Sequence, residues 1–306
     1  MWDIGSTKEG LLGAGYVASE AVATGVFLAG KLGKALLVEG PAGVGKTELA
    51  RCWAQAAGRR FIRLQCYEGL DEARALYEWD YARQLLYAQL LKEKVGQLVG
   101  DCADLSEAVR KIGEGGSAFF DRGFLLPRPV LQALTSDVPA LLLIDEIDKA
   151  DPEFEAFLLE VLENWAVTIP EIGTVAAAVP PAVVLTSNNA RELSDALRRR
   201  CLHLWIDYPA EALEVQIIRR RLPDVSEVLA RRVVAAVRKL REFELKKPPS
   251  LSETLDWTRA LVLLGTDSLD MDTLRATLCT ALKNDADERL AGARLFEVAE
   301  AAGRVS

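Results

Sequence analysis

The stretch Gly40-Pro41-Ala42-Gly43-Val44-Gly45-Lys46-Thr47 constrains this chain more than any other. Its three glycines let the backbone curl so that successive N–H groups face one anion with no Cβ in the way. It lies between an apolar run, Ala35-Leu36-Leu37-Val38, and a helical pattern from Glu48 to Ala57 that stops at Gly58. Strand, glycine loop and helix start together make a phosphate-binding loop, because the partial positive charge of the helix start falls where the anion sits. In that setting Lys46 reaches the β- and γ-phosphates of a nucleotide, and the Thr47 hydroxyl takes one position on Mg²⁺.

The rest of the pattern is α/β. Arg60 to Cys66 reads as a second strand, which the βαβ connection requires. Pro139 to Glu146 is a continuous apolar run ending in two acids, the signature of a strand buried on both faces of a parallel sheet. Asp151-Pro-Glu opens a helix through Trp165, Val167 to Val175 reads as a hairpin, and Pro181 to Ser187 is another buried strand. Cys201 to Asp207 alternates, with Leu202, Leu204 and Ile206 on one face. After Pro209 only helices are expected, at about 211–222, 225–244, 252–264, 270–282 and 285–302.

The expectation is therefore a five-stranded parallel sheet flanked by helices over 1–209, followed by an all-α lid over 210–306. Residues 1–34 read as a short arm and a helix from about Val17 to Leu32. Residues 67–112 have helical periodicity and carry Tyr67, Tyr77, Trp79, Tyr81 and Tyr87, which either pack one helical face onto the sheet or, beside Arg74, Arg83 and Gln84, form a recognition surface. Gly113 to Ser117 reads as a loop.

Composition narrows the function classes. The formal net charge is −8, so nothing basic enough to mark a nucleic-acid partner stands out. Five separated cysteines (Cys52, Cys66, Cys102, Cys201, Cys279) form no Cys-x-x-Cys pair and suggest buried, reduced thiols in the cytoplasm. His203 is the only histidine, which argues against a histidine-based metal centre or catalytic triad. Met1 to Glu9 lacks a basic leader, and Glu20 with four glycines in 11–30 favours a buried helix over a membrane span.

The run Leu141-Leu-Leu-Ile-Asp145-Glu146-Ile-Asp148 supplies acids at a strand end, beside the phosphates. There Asp145 holds Mg²⁺ through water, and Glu146 orients and polarises the attacking water. Asp148 and Lys149 read as a solvated pair or a structural contact. Phosphoryl transfer also needs a group that senses the γ-phosphate and one that neutralises developing charge. Asn188, ending the run Val183 to Ser187, fits the first, with Asn189 as fallback. Arg198-Arg199-Arg200 follows a helical stretch, Glu192 to Leu197. These arginines serve either as a charge-neutralising finger or as a basic helix end that complements its own dipole.

Phosphate loop, Asp-Glu pair, strand-end asparagine and arginine before a final strand, in that order, resemble an AAA+ ATPase over nearly the whole chain. The chain is more closely similar to the MoxR family in Leu36 to Glu48, Asp145 to Asp151 and Val167 to Gly173. Arg198 to Pro209 and Pro248 to Trp257 resemble the branch associated with carbon monoxide dehydrogenase and related molybdenum hydroxylases.

The resemblance implies a homo-oligomeric, usually hexameric ring that uses ATP and Mg²⁺ to remodel partners, among them proteins with a von Willebrand factor A domain and a client enzyme. It implies an insert within about 67–124 and a hairpin at 167–175. It also makes Asn188 the γ-phosphate sensor and Arg200, then Arg199, the finger. The family often places a lid arginine near Ser252-Glu253-Thr254; none is present there, and Arg259 is the available substitute. Two other functions share these residues: a nucleotide-gated binding module with negligible turnover, and a DNA-acting AAA+ protein, which the acidic charge disfavours.

Overall fold

The computed structural model describes residues 3–90, 122–170 and 172–304. Five strands form its main sheet: β1 (Ala35–Glu39), β2 (Arg60–Gln65), β5 (Ala140–Asp145), β8 (Ala182–Ser187) and β9 (Cys201–Trp205). Their order is β2-β5-β8-β1-β9, and every neighbouring pair is parallel. The apolar runs read from the sequence are the strands buried on both faces. All of β1 and β5 is buried, at about 1.5–3 kcal/mol for each fully buried Leu, Ile or Val side chain.

Helices cover both faces. On one, α2 (Glu20–Leu32) and α3 (Lys46–Ala56) bury Val26, Leu49 and Trp53 against Leu36, Val38, Leu141 and Leu143. On the other, α6 (Pro129–Leu134), α7 (Pro152–Asn164) and α8 (Asp195–Arg200) bury Leu131, Phe154, Leu158 and Leu197 against Leu37, Leu142, Ile144 and Leu185. The hairpin is present as β6 (Ala166–Ile169) and β7 (Gly173–Ala176), with Val167, Ile169 and Val175 turned into this second core. Trp165, in the left-handed region at φ 50°, ends α7 and starts the hairpin.

The C-terminal region is helical: α9 (Glu211–Arg221), α10 (Glu227–Arg241), α11 (Leu251–Leu263), α12 (Met271–Ala281), α13 (Asp285–Ala293) and α14 (Leu295–Gly303). They enclose a third core around Trp257, Leu240, Leu274 and Val298. Inside it Arg241 pairs with the buried Glu214 at 2.8 Å, lies 4.4 Å from the Tyr208 ring centroid, and donates to the Pro249 carbonyl.

Several local expectations need correcting. The N-terminal arm is a helix, α1 (Ile4–Gly13), because Asp3 and Ser6 form a reciprocal capping box and Leu11 is fully buried. The last expected helix is two, divided at Arg294. Within 67–90 the helical pattern is broken by α4 (Glu72–Leu76) and β3 (Tyr77–Trp79), which pairs antiparallel with β4 (Leu125–Pro127), before α5 (Tyr81–Leu90). Trp79 is buried, but Tyr67, Tyr81 and Tyr87 are exposed, so the aromatics do not share one packed face. Most of the expected insert, the 113–117 loop and Cys102 lie outside the described residues. Among the described cysteines Cys279 is exposed; Cys52, Cys66 and Cys201 are buried. No described helix is long and apolar enough to cross a membrane.

Candidate nucleotide site

Strand order builds the site. Strand β8 lies between β1, which leads into Gly40–Thr47, and β5, which ends at Asp145. The two connections from β1 and β5 leave their strands at the same edge and open a crevice there, the usual ligand position in such sheets.

The loop is shaped by its glycines. A Cβ on Gly40 would lie 1.9 Å from the Ile206 carbonyl oxygen. Gly43, at φ 73°, has the Ser250 hydroxyl oxygen 2.1 Å from where its Cβ would be. The Lys46 ammonium is buried and folds back over the loop. It donates to the carbonyls of Gly40 (2.7 Å) and Pro41 (2.6 Å) and to Asn188 Oδ1 (2.8 Å). Burial lowers its pKa, while the carboxylates of Asp148, Asp145 and Glu146 oppose that shift.

Asp145 is buried and heavily solvated by protein donors. It accepts from Thr47 Oγ1 at 3.0 and 3.1 Å, from Thr186 Oγ1 at 2.5 Å, and from Arg63 at 2.6 Å. The Thr47 hydroxyl and the Asp145 carboxylate thus face each other as an all-oxygen pair. A hard cation that keeps most of its waters and shares phosphate oxygens suits such a pair. Among the described residues no group of three His, Cys, Asp or Glu side chains could hold a metal, so these residues offer no complete cage.

Glu146 stands in the left-handed region at φ 58°, with its N–H held by Thr186 Oγ1 at 2.9 Å. Its carboxylate accepts from Gln65 (2.9 Å), Lys149 (2.5 Å) and Asn188 Nδ2 (3.4 Å). The Asn188 amide therefore bridges Lys46 and Glu146. Of the two readings of Asp148 the structural contact holds: it is buried, accepts from the backbone N–H groups of Asn188 and Ala190, and leaves Lys149 to pair with Glu146. Sequence reasoning missed Arg63 and Gln65. The signal was there, since polar residues at alternating positions of β2 put both on the face turned towards Asp145 and Glu146.

The three arginines have different surroundings. They form the last turn of α8, which Ser194 caps. Arg198 binds the buried Glu39 carboxylate through two 3.0 Å hydrogen bonds, and His203 shares the same acid at 2.6 Å. Arg200 pairs with the exposed Glu163 at 2.8 Å. Arg199 is exposed and has no ion pair among the described residues.

Beside the loop opens a cavity of about 700 Å³, walled by Tyr16, Val17, Ile206, Tyr208, Leu255 and Gly43–Gly45. This part-enclosed space of small-molecule size, apolar along Val17, Ile206 and Leu255 and charged at its rim, is a second element that sequence reasoning missed. Burial raises the Tyr16 phenol well above its ordinary value. At the rim, Glu48 pairs with Arg51 (2.6 Å) and with Arg221 of α9. Arg259 also lines the cavity and makes a 3.5 Å ion pair with Asp256. Ser252, in the Ser252-Glu253-Thr254 position that holds no arginine, lies with Ser250 against Gly43.

A glycine loop opening a helix, beside a strand-end acid that faces its Thr, defines a P-loop nucleotide-binding protein with the AAA+ fold. The chain belongs to the AAA domain family (dynein-related subfamily), whose model matches residues 35–201, over half of its length. Among solved structures, a lysine-to-arginine mutant of Thermotoga maritima RuvB matches at 19% identity and a TM-score of 0.50, covering 89% of this chain and 71% of that one. The T. maritima RuvB Holliday junction branch migration motor matches at 18% identity and a TM-score of 0.45, covering 87% and 68%. No curated protein sequence matches the chain.

Proposed function

We propose that the chain binds ATP with Mg²⁺, hydrolyses it, and uses the cycle to remodel a partner protein. The carrying observation is that Lys46, Thr47, Asp145, Glu146 and Asn188, far apart in sequence, meet at one edge of the sheet. Gly40–Thr47 wrap the phosphates, and the cavity beside Tyr16 seats the nucleoside. Thr47 and Asp145 are the residues that would hold Mg²⁺, which neutralises phosphate charge when bound. Glu146, directed by Gln65, Lys149 and Asn188, orients the attacking water and takes up its proton. Lys46 offsets charge on the γ-phosphate, and Asn188 reports whether that phosphate is present.

We assign the α/β unit to 1–209 and a helical lid to 210–306. Two contacts support the lid role: Ser250 touches Gly43, and Arg221 holds Glu48 of the loop helix. Arg198 is committed to Glu39, so the finger reaching a neighbouring copy is Arg200 or the unpaired Arg199. A finger in trans requires a homo-oligomeric ring, with a hexamer as the family form. The sequence runs that resemble the MoxR branch point to a partner with a von Willebrand factor A domain, a metal-cofactor client enzyme and a cytoplasmic setting.

The test is direct. Lys46→Ala should abolish nucleotide binding, while Glu146→Gln should bind ATP with phosphate release reduced at least about a hundredfold, as loss of a general base implies. Equal turnover by Glu146→Gln and wild type would refute the assigned base. Arg199→Ala or Arg200→Ala subunits should bind ATP yet fail to support hydrolysis next door. A strictly monomeric preparation turning over at full rate would remove the in-trans finger. ATP binding without any turnover would leave a nucleotide-gated module.

A further inference from the structure

Asp148 follows the acids of β5 on a short 3-10 turn, Ile147–Lys149. Its side chain is buried, and its hydrogen bonds go to the backbone: Oδ2 accepts from Asn188 N at 3.1 Å and from Ala190 N at 3.0 Å. The residue between, Asn189, is left-handed at φ 60°, which turns the two flanking N–H groups towards one oxygen. Such charge-assisted bonds are about twice as strong as neutral ones. The other oxygen, Oδ1, is buried with no hydrogen-bond partner. Burying this side chain with one oxygen unpartnered carries a desolvation cost that the two backbone bonds offset.

What those two N–H groups hold is the start of the segment 188–194. Its far end is held separately: Glu155 accepts from Ser194 N at 3.0 Å and pairs with Arg191 at 2.5 Å, and Arg191 donates to the Ala150 carbonyl. Between Asn188 and Ala190 the Asn189 N–H donates to Ser187 Oγ at 2.9 Å, so loss of Asp148 would free the backbone N–H groups of Asn188 and Ala190 while Ser187 and the far end of the segment still hold their own bonds. The Asn188 side chain is the one that spans Lys46 and Glu146.

We propose that Asp148 is a positioning residue for phosphoryl transfer: by gripping the backbone at Asn188 and Ala190 it sets the Asn188 carboxamide between Lys46 and Glu146. This rests on the hydrolysis reading above. A displacement of the order of 1 Å at such a group costs about a hundredfold in rate.

The test uses the full-length protein and measures kcat for ATP alongside the ATP and ADP dissociation constants. Asp148→Ala should lower kcat by about ten- to a hundredfold, with ATP affinity within about threefold of wild type. Asp148→Asn, which keeps an oxygen in place for the two N–H groups, should restore most of the rate. In an Asn188→Ala background, adding Asp148→Ala should cost less than about twofold more, because the group it positions is gone. Losses that multiply would overturn the proposal, leaving Asp148 a structural acid. Should Asp148→Ala fail to fold, Asp148→Glu keeps the charge but shifts the oxygen by one methylene, and wild-type kcat in that variant would be equally fatal. A wild type that binds ATP and releases no phosphate defeats the hydrolysis reading alone. The ATP-over-ADP preference then decides: it should change alike in Asp148→Ala and Asn188→Ala, and a preference unchanged in Asp148→Ala alone would overturn the positioning role.

Discussion

Gly43→Ala offers a quantitative test of how the helical region meets the phosphate loop. Gly43 has φ 73°, and a left-handed alanine costs about 1–2 kcal/mol over glycine. The new methyl would lie 2.1 Å from Ser250 Oγ and 2.6 Å from Ser250 Cβ, an overlap that adds about 1–3 kcal/mol. The single variant should therefore lose about 2–5 kcal/mol. The next neighbour, Ser252 Oγ, is 3.5 Å away and in ordinary contact, so Ser250→Gly removes the whole clash. Ser250 caps α11, and glycine at a cap costs only a few tenths of a kcal/mol. The double variant should thus be more stable than Gly43→Ala by about 1–3 kcal/mol, although Ser250→Gly is mildly destabilising by itself. Urea unfolding of the four proteins would measure this, with Trp53 in α3 and Trp257 in α11 as buried reporters on the two sides of the contact. Additivity within about 0.5 kcal/mol would show that Ser250 does not rest on Gly43.

Other consequences can be checked with standard assays. Hydrogen bonds from Arg51, reinforced by Arg221 and opposed by burial, hold Glu48 down to about 2, against an ordinary 4.5. Its contribution is full above pH 4.5 and fades as pH falls towards 2, so Glu48→Gln should flatten the acid limb of the stability profile in that window. Identical acid limbs would count against the assignment. The buried Trp257 indole donates to Thr277 Oγ1 at 2.8 Å, so Thr277→Val should cost about 1–3 kcal/mol in urea unfolding and Thr277→Ser much less. In a Cys102→Ser background a thiol reagent at pH 8 should label exposed Cys279 first. Burial pushes the Cys52, Cys66 and Cys201 thiols up to about 11, 12 and 12, and fast labelling of any of them would contradict that.

The strands were legible because a strand covered on both faces leaves an unbroken apolar run, as at Ala140–Asp145 and Ala182–Ser187. The first helix was not, since its amphipathic signal is weak and its start depends on the Asp3–Ser6 cap. The interrupted pattern after Tyr67 failed for a different reason: β3 exists only because β4, some fifty residues later, pairs with it. At the site, the charge-bearing residues could be named from spacing. For Arg63 and Gln65 the alternation along β2 shows a shared face, but their partners Asp145 and Glu146, like those of Asp148, are brought near only by strand pairing or a loop crossing.

Local chemistry in the chain by itself determined the anion-binding loop, the paired acids and the α/β order, since glycine freedom, apolar runs and strand-end charges are written in short stretches. Tertiary structure alone decided which groups face one another. Placing β8 between β1 and β5 set Asn188 between Lys46 and Glu146, and packing the helical tail on Gly43 set the wall of the cavity. Those contacts span from about forty to more than two hundred residues of chain, so they are fixed by sheet order and burial, which no short stretch contains.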